Sequence, residues 1–185
     1  NLIYSDNSGY FSFPAVYEGT YIVHAEAENY STADIPVAIT VDDYFIELEM
    51  YTFYTESFES NEFSDDWNSN GDAQWYFVTE SVYDGMYSVR SGEISHDQSS
   101  ILNLNLNVTG YGQIGFHYRV ASEYSTSGNY FYDGLVFSID GTEMGQYQPT
   151  EDGGTPWTYV SFSVSPGEHV FVWSYVKDGA DGSTY

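Results

Sequence analysis

The sequence predicts an all-β chain of two tandem β-sandwiches, a small one followed by a larger one, and three observations carry that expectation. Within residues 133–177, Leu135, Phe137 and Ile139 alternate with Val136, Ser138 and Asp140, and Asp140-Gly141 supplies a tight hairpin turn. The device repeats: residues 159–164 alternate, Pro166-Gly167 turns the chain, and residues 169–175 return. The third observation is aromatic content, since 20 Tyr, 12 Phe and 4 Trp supply apolar area for a core.

Charge bounds the function. Twenty-eight acidic residues face three basic ones, Arg90, Arg119 and Lys177, for a formal net charge of −25. Such a surface cannot neutralise phosphates, so nucleic acid is excluded as a partner and a divalent cation is the natural counter-ion. Acidic chains poor in aromatics are often disordered, but this one has the rings to order a core and is solvated by its carboxylates. There is no cysteine, hence no disulfide framework or thiolate metal site. No stretch approaches the roughly 20 apolar residues that span a bilayer, so no membrane insertion is expected. No cationic, apolar leader opens the sequence, and the chain reads as a mature product or a fragment.

Residues 1–51 read as short strands at 10–13, 20–27, 36–41 and 45–50, with turns at Asn7-Ser8-Gly9, Glu18-Gly19 and Asp42-Asp43. Gly9-Tyr10-Phe11-Ser12-Phe13, the alternation after Glu18-Gly19-Thr20-Tyr21, and Asn29-Tyr30 make this part resemble the carboxypeptidase-regulatory-like modules, small transthyretin-like (Ig-like) sandwiches of secreted bacterial proteins. Asn29 stands where that family has Gly, a mild departure because Asn tolerates a left-handed backbone.

From residue 52 the texture changes, with no Pro-, Gly- or Ser-rich linker between the halves. Ser57-Phe58-Glu59, Trp67, Trp75, residues 85–92, Gly115-Phe116-His117-Tyr118, Asp133-Gly134-Leu135, Ile139-Asp140-Gly141, Trp157, Gly167-Glu168-His169 and Trp173-Ser174-Tyr175 follow one another. In this order they make residues 52–185 resemble the jelly-roll modules of the MAM and cleaved-adhesin kind. The two resemblances imply that each sandwich lacks a terminal strand: one or two before Asn1, and one, usually with Trp-Ile-Asp, after Tyr185. Truncation and strand supply by neighbouring subunits both account for this; in the second case the chain is a filament subunit.

The jelly-roll resemblance also implies calcium, held by the Glu of the Phe-Glu motif and by carbonyls near the Gly-x-Tyr-Ser strand. Glu59 maps onto that Glu, and Asp72, Asp84 and the Tyr87 carbonyl are the candidates to complete an oxygen cage. Asn68-Ser69-Asn70-Gly71-Asp72 lacks the closing Glu of an EF-hand and reads as a solvated turn. For catalysis, His24, His96, His117 and His169 each stand alone, and neither a His-Glu-x-x-His nor a Gly-x-Ser-x-Gly motif occurs. The expectation is a protein without catalytic activity of its own.

The three cations are more telling than the anions. Arg119 follows the alternation at Phe116 and Tyr118, and Lys177 follows Trp173 and Tyr175, so both should rest on the sandwich; Lys177 is expected to pair with Glu123 or Asp133. The loop 123–132 sets Tyr124, Tyr130 and Tyr132 in a Gly- and Ser-rich context that suits stacking on sugar rings, or else folds back over the sandwich. Asn29 and Asn107 fit the N-glycosylation sequon.

Together these readings give an adhesion or structural module, extracellular or on the cell surface, stabilised by calcium. Its partners are other copies of itself, neighbouring domains of the same polypeptide, glycans, or host and matrix proteins. A filament completed by strand exchange and a carbohydrate-binding accessory domain of a secreted hydrolase or peptidase are the rivals.

Overall fold

A computed structural model describes residues 2–6, 9–13, 16–27, 33–40, 46–48, 54–123, 130–150 and 154–179. Every regular element among them is a β-strand. No helix is long and apolar enough to cross a membrane. The chain divides into two compact units, Asn1–Tyr54 and Thr55–Tyr185.

In the first unit, β1 (Gly19–Ala25) and β2 (Ala33–Ile39) form an antiparallel pair running from Gly19 opposite Ile39 to Ala25 opposite Ala33. Pro36 lacks a ladder donor and fits in β2 because that strand has a partner on one side only. Val37 is the buried side chain of the pair. Across the ladder, His24 Nδ1 meets Asp34 Oδ1 at 2.7 Å on an exposed face. Residues 10–13 form no strand; Asp6 instead closes a turn, its amide donating to the Tyr10 carbonyl and its carboxylate accepting the Tyr10 amide. Residues 46–48 are likewise outside any strand, and the turn at Asp42-Asp43 lies outside the described residues.

The second unit contains β3 (Trp67–Gly71), β4 (Tyr76–Val78), β5 (Ser88–Arg90), β6 (Ser99–Val108), β7 (Gly112–Tyr118), β8 (Gly134–Ile139), β9 (Thr142–Tyr147), β10 (Thr158–Val164) and β11 (Gly167–Val176). Five strands form one antiparallel sheet in the order β3-β6-β11-β8-β9, while β7 pairs with β10 and β4 with β5. Register places side chains in rows across the inner face of the large sheet. Trp67, Leu104, Phe171 and Ile139 form one row; Ser69, Leu102, Trp173 and Phe137 the next; Gly71, Ser100, Tyr175, Leu135 and Tyr147 the third. Phe116 and Phe162 from the β7–β10 pair close over the second row, with ring centroids 4.8 and 5.1 Å from Phe137. Phe137, Phe171 and Leu102 are almost completely buried. This face-to-face packing is the sandwich, and burial of each such side chain contributes about 1.5–3 kcal/mol.

Asp140 and Gly141 both have positive φ, 52° and 78°, as the two-residue hairpin between β8 and β9 requires. The segment at Pro166-Gly167 behaves differently. β10 pairs with β7 whereas β11 pairs with β6 and β8, so this turn carries the chain from one sheet to the other and makes no hairpin. Period-two alternation specifies which side chains point inward, not which sheet receives them.

Candidate binding cleft

Of the residues expected to hold calcium, Glu59 and Tyr87 come together, while Asp72 belongs to a different contact. Glu59 accepts hydrogen bonds from the backbone amides of Met86 (2.9 Å) and Tyr87 (3.1 Å), and its carboxylate lies where a Cβ on Gly85 would stand. Positive φ at Phe58 (63°) and Gly85 (74°) shapes the backbone on both sides of this contact. Asp72 is bound to Ser99 instead: its amide donates to the Ser99 carbonyl at 2.7 Å and its Oδ2 accepts the Ser99 amide at 2.8 Å. Glu59 thus takes its hydrogen bonds from backbone amides, whereas calcium takes six to eight oxygens. A different trio of carboxylates converges, Glu123, Asp133 and Asp178, with ligand atoms within 4.8 Å of one another. Here Lys177 Nζ stands 3.1 Å from Asp133 Oδ2. Asp133 is 1 % exposed, its Oδ1 accepting the Asp178 amide at 3.1 Å. The Asp133 hydrogen bond, ahead of a smaller opposing effect of burial, holds the Lys177 ammonium above its ordinary pKa.

Beside this ion pair, strand ends of both sheets surround a cleft of about 560 Å³, a size within the roughly 300–1,000 Å³ of small-molecule sites. Its floor is Leu135 and Tyr175 from the third row of the large sheet. One wall is the segment that precedes and follows β5, held by two serines. Ser100, fully buried in that row, donates to the Ala73 carbonyl at 2.8 Å and accepts the Gly92 amide at 3.1 Å; Ser69 accepts the Trp75 amide at 2.7 Å. These bonds place Trp75 in the lining, and its indole Nε1 is buried with no hydrogen-bond partner. On the opposite wall, Val120 and Thr155 clamp one another: each amide bonds at 2.8 Å to the other residue, Thr155 donating to the Val120 carbonyl and Val120 to Thr155 Oγ1. Gly154 allows that approach, since a Cβ there would stand 2.6 Å from the Val120 carbonyl oxygen. The clamp sets Arg119 and Trp157 on the rim.

Outside the cleft a line of rings leads to Trp157. Tyr159 lies 5.0 Å from His117, His117 stacks on Tyr83 at 3.6 Å with planes 14° apart, and Tyr83 meets Trp157 edge-on at 6.1 Å. Tyr83 and Tyr159 are 56 % and 57 % exposed, and Tyr159 crosses Gly115, where no Cβ has room.

Of the sugar-stacking candidates, Tyr130 and Tyr132 face one another with centroids 6.2 Å apart and do not line the cleft; Tyr124 lies outside the described residues. Asn107 is exposed at the end of β6, and Asn29 lies outside the described residues. Sequence reasoning missed the grouping of Trp75, Tyr83, Arg90, Arg119, His117 and Trp157. One signal for it was present: the only three cations of the chain all follow or close an alternating run, which places them at strand ends.

No family model matches the chain, and no curated protein matches it. Among solved structures it is similar to the native structure of a family 35 carbohydrate binding module from Clostridium thermocellum. That likeness has a TM-score of 0.34 and 17 % identity over 61 % of this chain and 91 % of that one. So distant a likeness carries no argument about function.

Proposed function

We propose that residues 55–185 form a non-catalytic carbohydrate-binding module, its ligand lying along the rings of Tyr159, His117 and Tyr83 and entering the cleft at Trp157. The observation that supports this is the exposed aromatic line running into a polar-rimmed cleft. Rings fixed against one another lose little side-chain entropy when a flat apolar face settles on them, while the rim supplies directional hydrogen bonds. The cleft's serines have no imidazole beside them: among the described lining residues there is no histidine, and His169 and His24 are bound to Asp140 and Asp34 elsewhere. A module of this kind tethers the polypeptide that carries it to a glycan-bearing surface outside the cell, which is the adhesive role in its simplest form.

Affinity electrophoresis against a panel of neutral and acidic polysaccharides tests the proposal. Retardation by at least one is expected, and Tyr83→Ala and Trp157→Ala should each lower affinity about tenfold, equivalent to about 1.4 kcal/mol. Wild-type mobility in every polysaccharide would reject it.

A further inference from the structure

Three basic residues in a chain of net charge −25 would ordinarily be scattered among its carboxylates. Here Arg90, Arg119 and Lys177 all line the one cleft, and Glu93 is the single carboxylate among its described lining residues. Two of the three have acidic partners. Lys177 is bound to the buried Asp133, and Arg90 Nη1 stands 3.8 Å from Glu80 Oε1 with both side chains well exposed. Arg119 has none: its one partner among the described residues is a hydroxyl, Ser81 Oγ, 3.1 Å from Nη1. An exposed guanidinium carries five donors in a planar fork that fits carboxylate and sulfate oxygens in pairs. Among the described residues no carboxylate forms an ion pair with Arg119, which leaves part of that fork open on this wall.

We infer that the saccharide taken by this cleft is acidic, its carboxylate or sulfate bound by Arg119 with Arg90 in support while Trp157 covers the sugar ring. The inference rests on the carbohydrate-binding reading and adds the charge of the ligand. Most of the net charge of −25 acts only weakly here, because charges farther than about 8 Å are largely screened at physiological ionic strength; of the nearby carboxylates, Glu80 and Asp133 are paired with Arg90 and Lys177, and Glu93 lies in the lining. Charge at the rim also gives selectivity, since a neutral sugar offers these donors only uncharged hydroxyl oxygens, which make weaker hydrogen bonds than a carboxylate or sulfate.

Isothermal titration of the whole chain, with a chelator present so that no divalent ion bridges protein and sugar, decides the matter. The probes are a short oligogalacturonate, its methyl ester, a neutral galactan oligosaccharide, and chondroitin oligosaccharides with and without sulfate. The acid should bind at least about tenfold more tightly than its ester. Arg119→Met should remove that advantage, weakening acid binding at least about tenfold more than ester binding, and Arg119→Lys should restore only part of it, because the charge returns without the fork. Tighter binding of the sulfated chondroitin than of oligogalacturonate would support the inference and identify the anion as sulfate. Equal binding of acid and ester, or an Arg119→Met variant that binds the acid like wild type, would overturn the charge inference and leave carbohydrate binding standing. Binding of none of the probes, together with wild-type mobility in every polysaccharide, would remove both.

Discussion

Replacing Lys177 by Met removes a cation from a group of three carboxylates and leaves Asp133, 1 % exposed, with one amide donor to its carboxylate among the described residues. Breaking a buried pair in this way costs about 3–5 kcal/mol, since the remaining charge keeps its desolvation penalty. At about 2–4 °C per kcal/mol for a chain of this size, the melting temperature at pH 7.5 should fall by about 10 °C. The Lys177 side chain is partly exposed, so the lower part of that energy range applies. All four tryptophans, Trp67, Trp75, Trp157 and Trp173, belong to the second unit, so intrinsic fluorescence follows its unfolding without interference from the first. The double variant Lys177→Met with Asp133→Asn supplies an internal control: with the stranded carboxylate gone, much of the loss should be recovered at pH 7.5. In the wild type, a Lys pKa raised in the folded state stabilises fully below its ordinary 10.5, and the contribution is lost only as pH rises through the raised value. A Lys177→Met melting temperature within 2 °C of wild type at pH 7.5 would refute the claim that this ion pair stabilises the fold.

The His169 ring lies between two acceptors, Asp140 Oδ2 at 2.7 Å from Nδ1 and the Ser165 carbonyl at 2.8 Å from Nε2, and the Asp140 bond leads the effects that raise its pKa above 6.5. Its stabilising contribution should be complete below pH 6.5 and disappear as pH climbs through the raised value, so urea midpoints of wild type and His169→Gln should converge in alkaline buffer; a constant gap would contradict the charged form. Asp140 is held below its ordinary 3.8, first by the Val170 amide and then by His169, so its share should be lost as pH falls through the lowered value, seen as a steeper acid transition than that of Asp140→Asn. Phe137→Ala should cost about 3–5 kcal/mol in equilibrium denaturation, because Phe116, Phe162 and Trp173 all rest on that ring. Millimolar calcium should leave the melting temperature within about 1 °C of the value in chelator, given amide donors around Glu59 and an ammonium beside Asp133; a rise of several degrees would show that an ion binds after all.

The strand positions of the second unit were legible in its alternation because one face of each strand is buried, as with Leu135 and Phe137 in β8 or Phe171 and Trp173 in β11. The hairpin at Asp140-Gly141 was legible for a local reason, both residues tolerating positive φ. Partnership was not. Nothing in residues 158–176 distinguishes a hairpin from a crossing between sheets, because that choice depends on β6 and β7, dozens of residues earlier. The cleft was harder still. Ser69, Ser100 and Thr155 look like ordinary strand or loop residues, and their roles as clamps appear only when register brings Ala73, Gly92 and Val120 against them. The loop of Tyr124, Tyr130 and Tyr132 drew attention by its density of rings, whereas Trp157, Tyr83 and His117 are separated in sequence and share a surface only after folding.

Strand β11 lies at the centre of the large sheet, bonded along its whole length to β6 and along its second half to β8. Residues 99–108 are therefore synthesised well before residues 167–176 exist, and Leu102 and Leu104 lack their neighbours on that strand until then. Non-local pairing of this kind places such a domain among the slow folders, with times of milliseconds to seconds. The dense carboxylates then have a use before the native state is reached: their mutual repulsion keeps unfinished chains apart while the central strand is still missing.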